Sequence, residues 1–183
     1  MTMNPETIEA EFRRSFGNDI PENYISLLYN MFEAIKHWCK SKSSTVERTF
    51  RFESPVIICE LGILQNSLYL DYVVTRPCAQ GLGIYRLLLW HLRNCVIELI
   101  FQRLEIINVM EYNKTILVRM GFHEDSDGFF YMNFPELLNV TKQTWNIPTS
   151  LPGAQDLIGS YHKNLRIIIN AIHRRLVRLE MQT

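Results

Sequence analysis

The first forty residues place apolar side chains at helical spacing among polar ones. Residues 5–16 carry Ile8, Phe12 and Phe16 between charged residues, which is a weak helical pattern. From Ile20 to Cys39 the pattern strengthens, and Pro21 lies near the start, where a helix tolerates proline. Its apolar positions recur at spacings of three and four: Leu28, Met31, Phe32, Ile35 and Trp38. We therefore predict two N-terminal helices, followed by a polar loop over residues 40–45.

Three runs typical of β-strands follow this loop. Glu47–Glu53 alternates polar and apolar residues, and Pro55–Leu64 is almost entirely apolar with β-branched residues at its centre. Ser67–Thr75 comes next, after the turn-like pair Gln65-Asn66. Because the links between the three runs are short, we predict an antiparallel meander.

The apolar period then changes to that of a helix. Apolar residues form a continuous stripe from Ile84 to Leu99, and Arg103–Val109 is a short β-branched run. A strand, a helix and a strand in this order predict a parallel pairing across the helix. Asn113–Met120 reads as a short helix that ends at Gly121, and Gly128–Phe134 as an aromatic strand.

Beyond the breaker-rich link Pro148–Pro152, Leu157–Leu179 reads as a long helix with an apolar side and four arginines on the rest. The whole pattern predicts an α+β (mixed α/β) fold with a mostly antiparallel mixed sheet flanked by helices. We expect one domain over residues 1–150 and a C-terminal helical extension over residues 151–183. This extension packs on its own domain or on a partner, and a homodimer contact is one alternative.

Composition narrows the possible partners. The 183 residues are 47% hydrophobic and carry a formal net charge of zero, so no overall charge favours nucleic acid or a membrane surface. The four cysteines form no CxxC pair, and the five histidines show no spacing typical of metal ligands. We therefore expect a cytoplasmic protein with reduced thiols, no metal, no nucleic-acid partner and no membrane partner.

The segment Gln80-Gly81-Leu82-Gly83-Ile84-Tyr85 places two glycines at the start of the predicted long helix. A helix start carries unpaired backbone N–H groups, and glycines let an anion approach them closely. A tight turn without a ligand explains the glycines equally well. A P-loop would need Lys and Ser/Thr after the second glycine, and a dinucleotide fingerprint needs a third small residue where Arg86 stands.

This segment resembles the acetyl-CoA signature of the Gcn5-related N-acetyltransferases, Gln/Arg-x-x-Gly-x-Gly/Ala, in five of its six positions. Pro77 lies three residues before the signature, where the family often has a proline, and Asp71 lies six residues earlier, where many members have an acidic residue. Gly121-Phe122 matches the Gly-Phe that ends a later helix in the family. The resemblance spans residues 47–134 and implies a fold with acetyl-CoA as co-substrate and an amine as acceptor.

The resemblance also implies roles for individual residues. The diphosphate would bind along the helix start, and the pantetheine arm would pair with the third strand, which must diverge from the fourth. Asn113 would contact the pantetheine or serve as a helix N-cap. These cofactor-binding candidates are Val73, Val74, Thr75, Gln80, Gly81, Leu82, Gly83, Ile84, Tyr85, Arg86 and Asn113.

For catalysis, Asp71 is the candidate base that deprotonates the amine, the alternative being a solvent-facing carboxylate on a half-buried strand. Two departures from the family pattern concern the other groups. Tyr85 stands where the signature has a small residue, and Leu117 where many members have the tyrosine that protonates the leaving thiolate. Tyr112 is then the candidate acid, with Tyr85 as a second choice.

The amine acceptor is not identifiable from the sequence. Ile20–Cys39 and the acidic run His123–Asp127 are candidate walls of its site, and the acidic run is equally well explained as a solvated turn. The predicted activity is transfer of an acetyl group from acetyl-CoA to a primary amine by direct attack in a ternary complex. The alternative is a non-catalytic relative that binds CoA or acts through its terminal helices.

Overall fold

A computed structural model describes residues 4–41 and 46–148. The predicted C-terminal helix Leu157–Leu179, and with it the extension over residues 151–183, lies outside these residues. The helices are α1 (Pro5–Phe16), α2 (Tyr24–Lys40), α3 (Ile84–Leu99), α4 (Glu111–Met120) and α5 (Phe134–Asn139). The strands are β1 (Arg48–Glu53), β2 (Ile57–Leu64), β3 (Ser67–Thr75), β4 (Arg103–Ile106), β5 (His123–Glu124) and β6 (Phe130–Asn133).

The six strands form one sheet in the order β1-β2-β3-β4-β6-β5. The β3–β4 pair is parallel, as the intervening α3 crossover requires, and the other four pairs are antiparallel. The predicted fold class, an α+β fold with a mostly antiparallel mixed sheet flanked by helices, is therefore confirmed. Among the described residues, no helix combines the length and apolar character needed to span a bilayer.

A β-bulge interrupts the pairing of β2 with β3. Leu61 lies opposite Leu70 and Glu60 lies opposite Tyr72, so Asp71 is the extra residue of the bulge. The pairing of β3 with β4 covers only Ser67–Leu70. The last hydrogen bond between them runs from the Ile107 N–H to the Leu70 carbonyl, at 2.8 Å. Beyond this point β3 continues beside β2 alone within the described sheet, so β3 and β4 diverge directly at Asp71.

Helices α2 and α3 cover one face of the sheet. Helix α3 is buried at 11 of its 16 positions because it packs on the sheet as well as on α2 and α5. The opposite face is covered at one end by α1, whose Ile8 and Phe12 pack on Ile58 and Val74. Burial of apolar side chains on both faces stabilises the sheet, each large side chain contributing about 1.5–3 kcal/mol.

A buried arginine ties α1 to the end of β3. The Arg76 side chain is 0% exposed, and its Nη2 lies 2.8 Å from Glu9 Oε1. The same Nη2 donates to the backbone carbonyls of Gly17 and Asn18, directly after α1, at 3.1 and 2.9 Å. Arg76 thus satisfies backbone acceptors at the C-terminal end of a helix while its charge is balanced by Glu9.

Several elements begin one to four residues away from the predicted start, and the larger differences concern β4, β5 and α5. Strand β4 ends at Ile106, although the apolar run continues to Val109, because the chain diverges from β3 there. Strand β5 was not predicted, since it has only two residues, both exposed. Helix α5 was not predicted either; its capping box joins Asn133 and Glu136, and Leu137 is its fully buried anchor.

Between α2 and α3, His91 is 2% exposed and stacks on Phe32, with ring centroids 4.6 Å apart. Burial lowers the pKa of His91 to about 3, although a hydrogen bond with the Phe32 backbone opposes the shift. Between pH 6.5 and 3 the unfolded chain binds a proton at His91 that the folded chain excludes. This contribution to stability is therefore complete above pH 6.5 and is lost as the pH falls, by up to about 1.4 kcal/mol per pH unit.

We expect the variant His91→Phe to lose this part of the pH dependence while still stacking on Phe32. Urea unfolding at about pH 7, 6, 5 and 4 measures the pH dependence of the unfolding free energy. The slope of this free energy against pH should be shallower in His91→Phe than in the wild type. The exposed His37, changed to Gln, is the control and should leave the slope unaltered. Parallel slopes for the wild type and His91→Phe would show that His91 protonates without opposing folding.

Candidate functional site

A cleft of about 330 Å³ lies between the end of β3, the glycine segment, and the starts of α3 and α4. Its volume is at the lower end of the range typical of small-molecule sites. The lining residues are Val73, Thr75, Ala79, Gln80, Gly81, Gly83, Ile84, Tyr85, Arg86, Tyr112, Asn113 and Ile116. Two segments that are distant in sequence, residues 73–86 and 112–116, therefore form one concave surface beside the point where β3 and β4 diverge.

Gly81 and Gly83 differ in what a side chain at each position would meet. Gly81 and Gly83 both adopt left-handed backbone conformations, with φ of 86° and 79°. A Cβ on Gly83 would lie 2.7 Å from Pro148 Cγ, so packing alone requires a glycine there. A Cβ on Gly81 would meet no atom within 4 Å, and Gly81 lines the cleft. The space beside Gly81 is therefore available to a ligand that approaches the backbone closely.

The start of α3 leaves backbone donors free. Leu87 is the first residue whose N–H bonds back, to the Gly83 carbonyl at 3.0 Å. The N–H groups of Gly83, Ile84, Tyr85 and Arg86 have no hydrogen-bond acceptor within residues 4–41 and 46–148. The first turn contains no acidic residue, and Arg86 lies in it. An arginine opposes the partial positive charge of a helix start, so this arrangement favours an external anion.

Strand β3 supplies the second wall of the cleft. The Arg76 N–H donates to the Val56 carbonyl at 2.8 Å, towards β2. Because backbone groups alternate in direction along a strand, those of Val74 also face β2, whereas those of Val73 and Thr75 face the opening left by β4. In agreement, Gln80 Nε2 reaches the Thr75 carbonyl from that side, at 3.4 Å. Val73 thus presents a free backbone donor and acceptor to the cleft, and Thr75 presents a free N–H beside the carbonyl that Gln80 contacts.

Asp71 lies at the point of divergence and is not among the residues that line the cleft. Burial, followed by the hydrogen bond with Glu47, raises the pKa of Tyr69, and the charges of Asp71 and Glu60 add smaller contributions. Leu68 and Leu70 point into the core on the cleft side of the sheet, so Tyr69 and Asp71, which alternate with them, point to the opposite face. Asn108 Nδ2 donates to Asp71 Oδ1 at 2.7 Å.

Two tyrosines and an asparagine occupy the far wall. Tyr112 is 64% exposed and lines the cleft. Tyr85 is turned inwards against the core, and burial, with a smaller contribution from Tyr112, raises its pKa. Asn113 is 9% exposed, and its side chain makes no hydrogen bond to any described residue. Asn113 can therefore offer an amide to a ligand in the cleft.

Most residues that the sequence singles out thus come together in space. Val74 and Leu82 do not line the cleft: Val74 packs against the α1 cluster, and Leu82 points outwards at 39% exposure. Asn113 is not an N-cap, because α4 begins two residues earlier, at Glu111. Leu117 is fully buried in the core, so the side chain at that position cannot protonate a leaving thiolate as a tyrosine could.

The sequence reasoning missed Ala79, Ile116 and Asn108. Ala79 and Ile116 are apolar lining residues without a distinctive sequence signal. The backbone φ of 49° at Asn108 is a conformation that asparagine adopts more readily than most residues, and this was the available signal.

The two segments predicted as walls of the acceptor site, Ile20–Cys39 and His123–Asp127, make contacts that give each a structural role. Trp38 of α2 packs edge-on against Phe52, which places that part of α2 on the core side of the sheet. Within His123–Asp127, Asp125 accepts hydrogen bonds from the N–H groups of Asp127 and Phe129, at 2.9 and 3.0 Å. These contacts favour the interpretation of the acidic run as a turn. Among the described residues, no group of three or more His, Cys, Asp or Glu side chains could hold a metal ion.

No protein-family model matches this sequence, and no curated protein matches it. Solved N-acetyltransferases are among the structures that it resembles. The ribosomal-protein-S18-alanine N-acetyltransferase from Escherichia coli is 12% identical with a TM-score of 0.40, over 63% of this chain and 90% of that one. A dodecameric spermidine N-acetyltransferase from Vibrio cholerae is 16% identical with a TM-score of 0.40, over 75% and 94%.

Proposed function

We propose that the protein transfers an acetyl group from acetyl-CoA to a primary amine, by direct attack within a ternary complex. The observation that carries this proposal is the divergence of β3 from β4. On one side of it lie a helix start with free N–H groups and a cleft, and on the other lies a carboxylate. A co-substrate with an anionic diphosphate and a cationic amine can thus approach one opening from opposite faces of the sheet.

The residues of the cleft fit acetyl-CoA, which would supply an activated acetyl thioester. The free N–H groups of Gly83–Arg86 and the Arg86 guanidinium are suited to a diphosphate. The open space beside Gly81 admits it close to the backbone. The free backbone groups of Val73 and the free N–H of Thr75 are suited to a strand-like amide chain such as pantetheine, and the Asn113 amide faces the same cleft.

The amine requires a base. A primary alkylamine with a pKa of about 10.4 is almost entirely protonated at neutral pH, and only its neutral form is a nucleophile. The Asp71 carboxylate at the opening is placed to accept that proton, directly or through a water molecule. The Val73 N–H, which faces the opening, can stabilise negative charge that develops on the acyl oxygen. Tyr112 is the candidate donor of a proton to the leaving thiolate.

Binding of acetyl-CoA is the first test. Calorimetric titration of the protein should show micromolar binding of acetyl-CoA and none of NADH or ATP. In Arg86→Glu we expect the affinity for acetyl-CoA to fall at least about tenfold, because the charge beside the free N–H groups is reversed. The exposed Arg119 of α4 does not line the cleft, so Arg119→Glu is the control with the same change in charge. Equal losses in both variants, or no binding to the wild type, would contradict the proposed cleft.

Turnover distinguishes the enzyme from a non-catalytic CoA-binding protein. Release of free CoA thiol should be measured with spermidine, a lysine-containing peptide and a peptide with a free α-amino group as acceptors. Turnover with any of them supports the transferase. Tight binding without turnover on the whole panel would instead favour the non-catalytic alternative, in which the buried Leu117 leaves the usual acid position vacant.

A further inference from the structure

One residue near the opening has a left-handed backbone outside any helix cap or hairpin turn. Five residues other than glycine have positive φ within the described chain. Gln65 and Asn66 form the β2–β3 turn, Ile100 caps α3, and Asn146 closes a turn near residue 143. The fifth, Asn108 with φ of 49°, follows the end of β4 and belongs to neither a helix cap nor a hairpin.

This backbone conformation places the Asn108 side chain on Asp71. The Ile107 N–H makes the last bond from the β4 chain to β3, at 2.8 Å to the Leu70 carbonyl. Asn108 follows Ile107 and Asp71 follows Leu70, and these two side chains meet: Asn108 Nδ2 donates to Asp71 Oδ1 at 2.7 Å. The contact therefore spans the two strands directly at the point where their backbones separate.

The hydrogen bond leaves the two carboxylate oxygens unequal. Oδ1 of Asp71 is held by the Asn108 amide, and Oδ2 accepts no hydrogen bond from any residue in the described ranges. An amide that donates to one oxygen fixes the rotation of the carboxylate and directs the other oxygen away from the donor. The left-handed backbone of Asn108 lies outside any helix cap or hairpin, and the contact that it makes is the one with Asp71.

We propose that Asn108 is a positioning residue for the base: it holds Asp71 so that Oδ2 faces the incoming ammonium. The inference rests on the proposed function. In this step the N–H bond of the ammonium breaks, the proton moves to Oδ2, and the electron pair stays on the amine nitrogen. Asn108 neither accepts the proton nor touches the amine, and it acts only through the orientation of Asp71.

Two substitutions separate this role from a merely structural one. Asn108→Gly adopts the left-handed backbone more easily than asparagine and removes the amide. Asn108→Asp keeps the size and shape of the side chain and replaces the donor by an acceptor. If Asn108 served only the turn of the chain, both variants would retain activity. If it positions Asp71, both should lose kcat by about 10- to 100-fold, the effect of a misplaced catalytic group.

The readout is kcat for the best amine on the panel, together with the KM for acetyl-CoA and the thermal midpoint. We expect kcat to fall in both variants while the KM for acetyl-CoA stays within about twofold, since Asn108 does not line the cleft. Asn66→Gly, at the left-handed Asn66 of the β2–β3 turn, is the matched control and should keep wild-type kcat.

The possible failures are distinguishable. Wild-type kcat in Asn108→Gly or Asn108→Asp, with an active parent protein, would overturn the role of Asn108 and leave the proposed function intact. Absence of turnover in the wild type itself would overturn the proposed function and the inference with it.

Discussion

Replacing Asp71 by asparagine should lower kcat by about 10²- to 10⁴-fold, the usual contribution of a general base. The amide introduced by this change keeps the size of the side chain and retains an oxygen for the Asn108 donor, but it cannot accept the proton of the ammonium. Steady-state release of CoA thiol at about pH 7.5 measures the loss. The affinity for acetyl-CoA should stay within about twofold, because Asp71 lies outside the cleft.

The pH dependence of the variant provides a second check. Without a base, the rate depends on the neutral fraction of the amine in solution, which rises about tenfold per pH unit below an amine pKa of about 10.4. The activity of Asp71→Asn should therefore recover steeply between about pH 7 and 9, more steeply than that of the wild type. Glu60→Gln, a nearby carboxylate that also faces Tyr69, is the control and should change kcat little. Unchanged kcat in Asp71→Asn would remove Asp71 as the base.

Replacing Arg76 by methionine should lower the free energy of unfolding by about 3 kcal/mol, at the lower end of the range for breaking a buried ion pair. The methionine fills the volume of the side chain, but Glu9 and the carbonyls of Gly17 and Asn18 lose their donor. We place the value at the lower end because the Glu9 side chain is 19% exposed and water partly replaces the partner. Urea unfolding at about pH 7 measures the difference.

The same pair gives a pH dependence with a definite sign. The hydrogen bond from Arg76 is the main cause that lowers the pKa of Glu9 below its ordinary value of 4.5. Its contribution to stability is therefore present above pH 4.5 and is lost as the pH falls through the lower, folded-state value. Arg13→Met is the control, since the exposed Arg13 also lies beside Glu9, at 3.5 Å. A loss in Arg13→Met as large as that in Arg76→Met would show that burial of Arg76 adds nothing.

The sequence was sufficient for the parts of the fold that periodicity determines. The bounds of β3 and α3 were predicted to the residue, because Gln65-Asn66 marks the hairpin turn and an apolar stripe runs the length of α3. The glycine segment was correctly placed between them, at the start of a helix. These signals are local, so a single sequence carries them.

The features that the sequence did not predict all depend on where β3 and β4 separate. An apolar run to Val109 predicted a longer β4, and nothing local in the sequence states that pairing ends at Ile106. The bulge at Asp71 is equally hidden, since it results from the mismatch between two strands and not from either strand alone. The contact of Asn108 with Asp71 follows from both features, which is why the sequence identified one partner and missed the other.

The bulge has a consequence for insertions and deletions in β3. Leu70 lies opposite Leu61 before the bulge, and Val74 lies opposite Ile58 after it. A deletion of one residue at position 71 or 72 would keep both pairings, so Leu70 would still face β4 and Val73 would still face the cleft. Only the extra position, whose side chain meets Asn108 at the opening, would be lost. The irregularity of the strand thus serves the carboxylate and not the cleft wall, and a strand one residue shorter would form the more regular sheet without a place for that carboxylate.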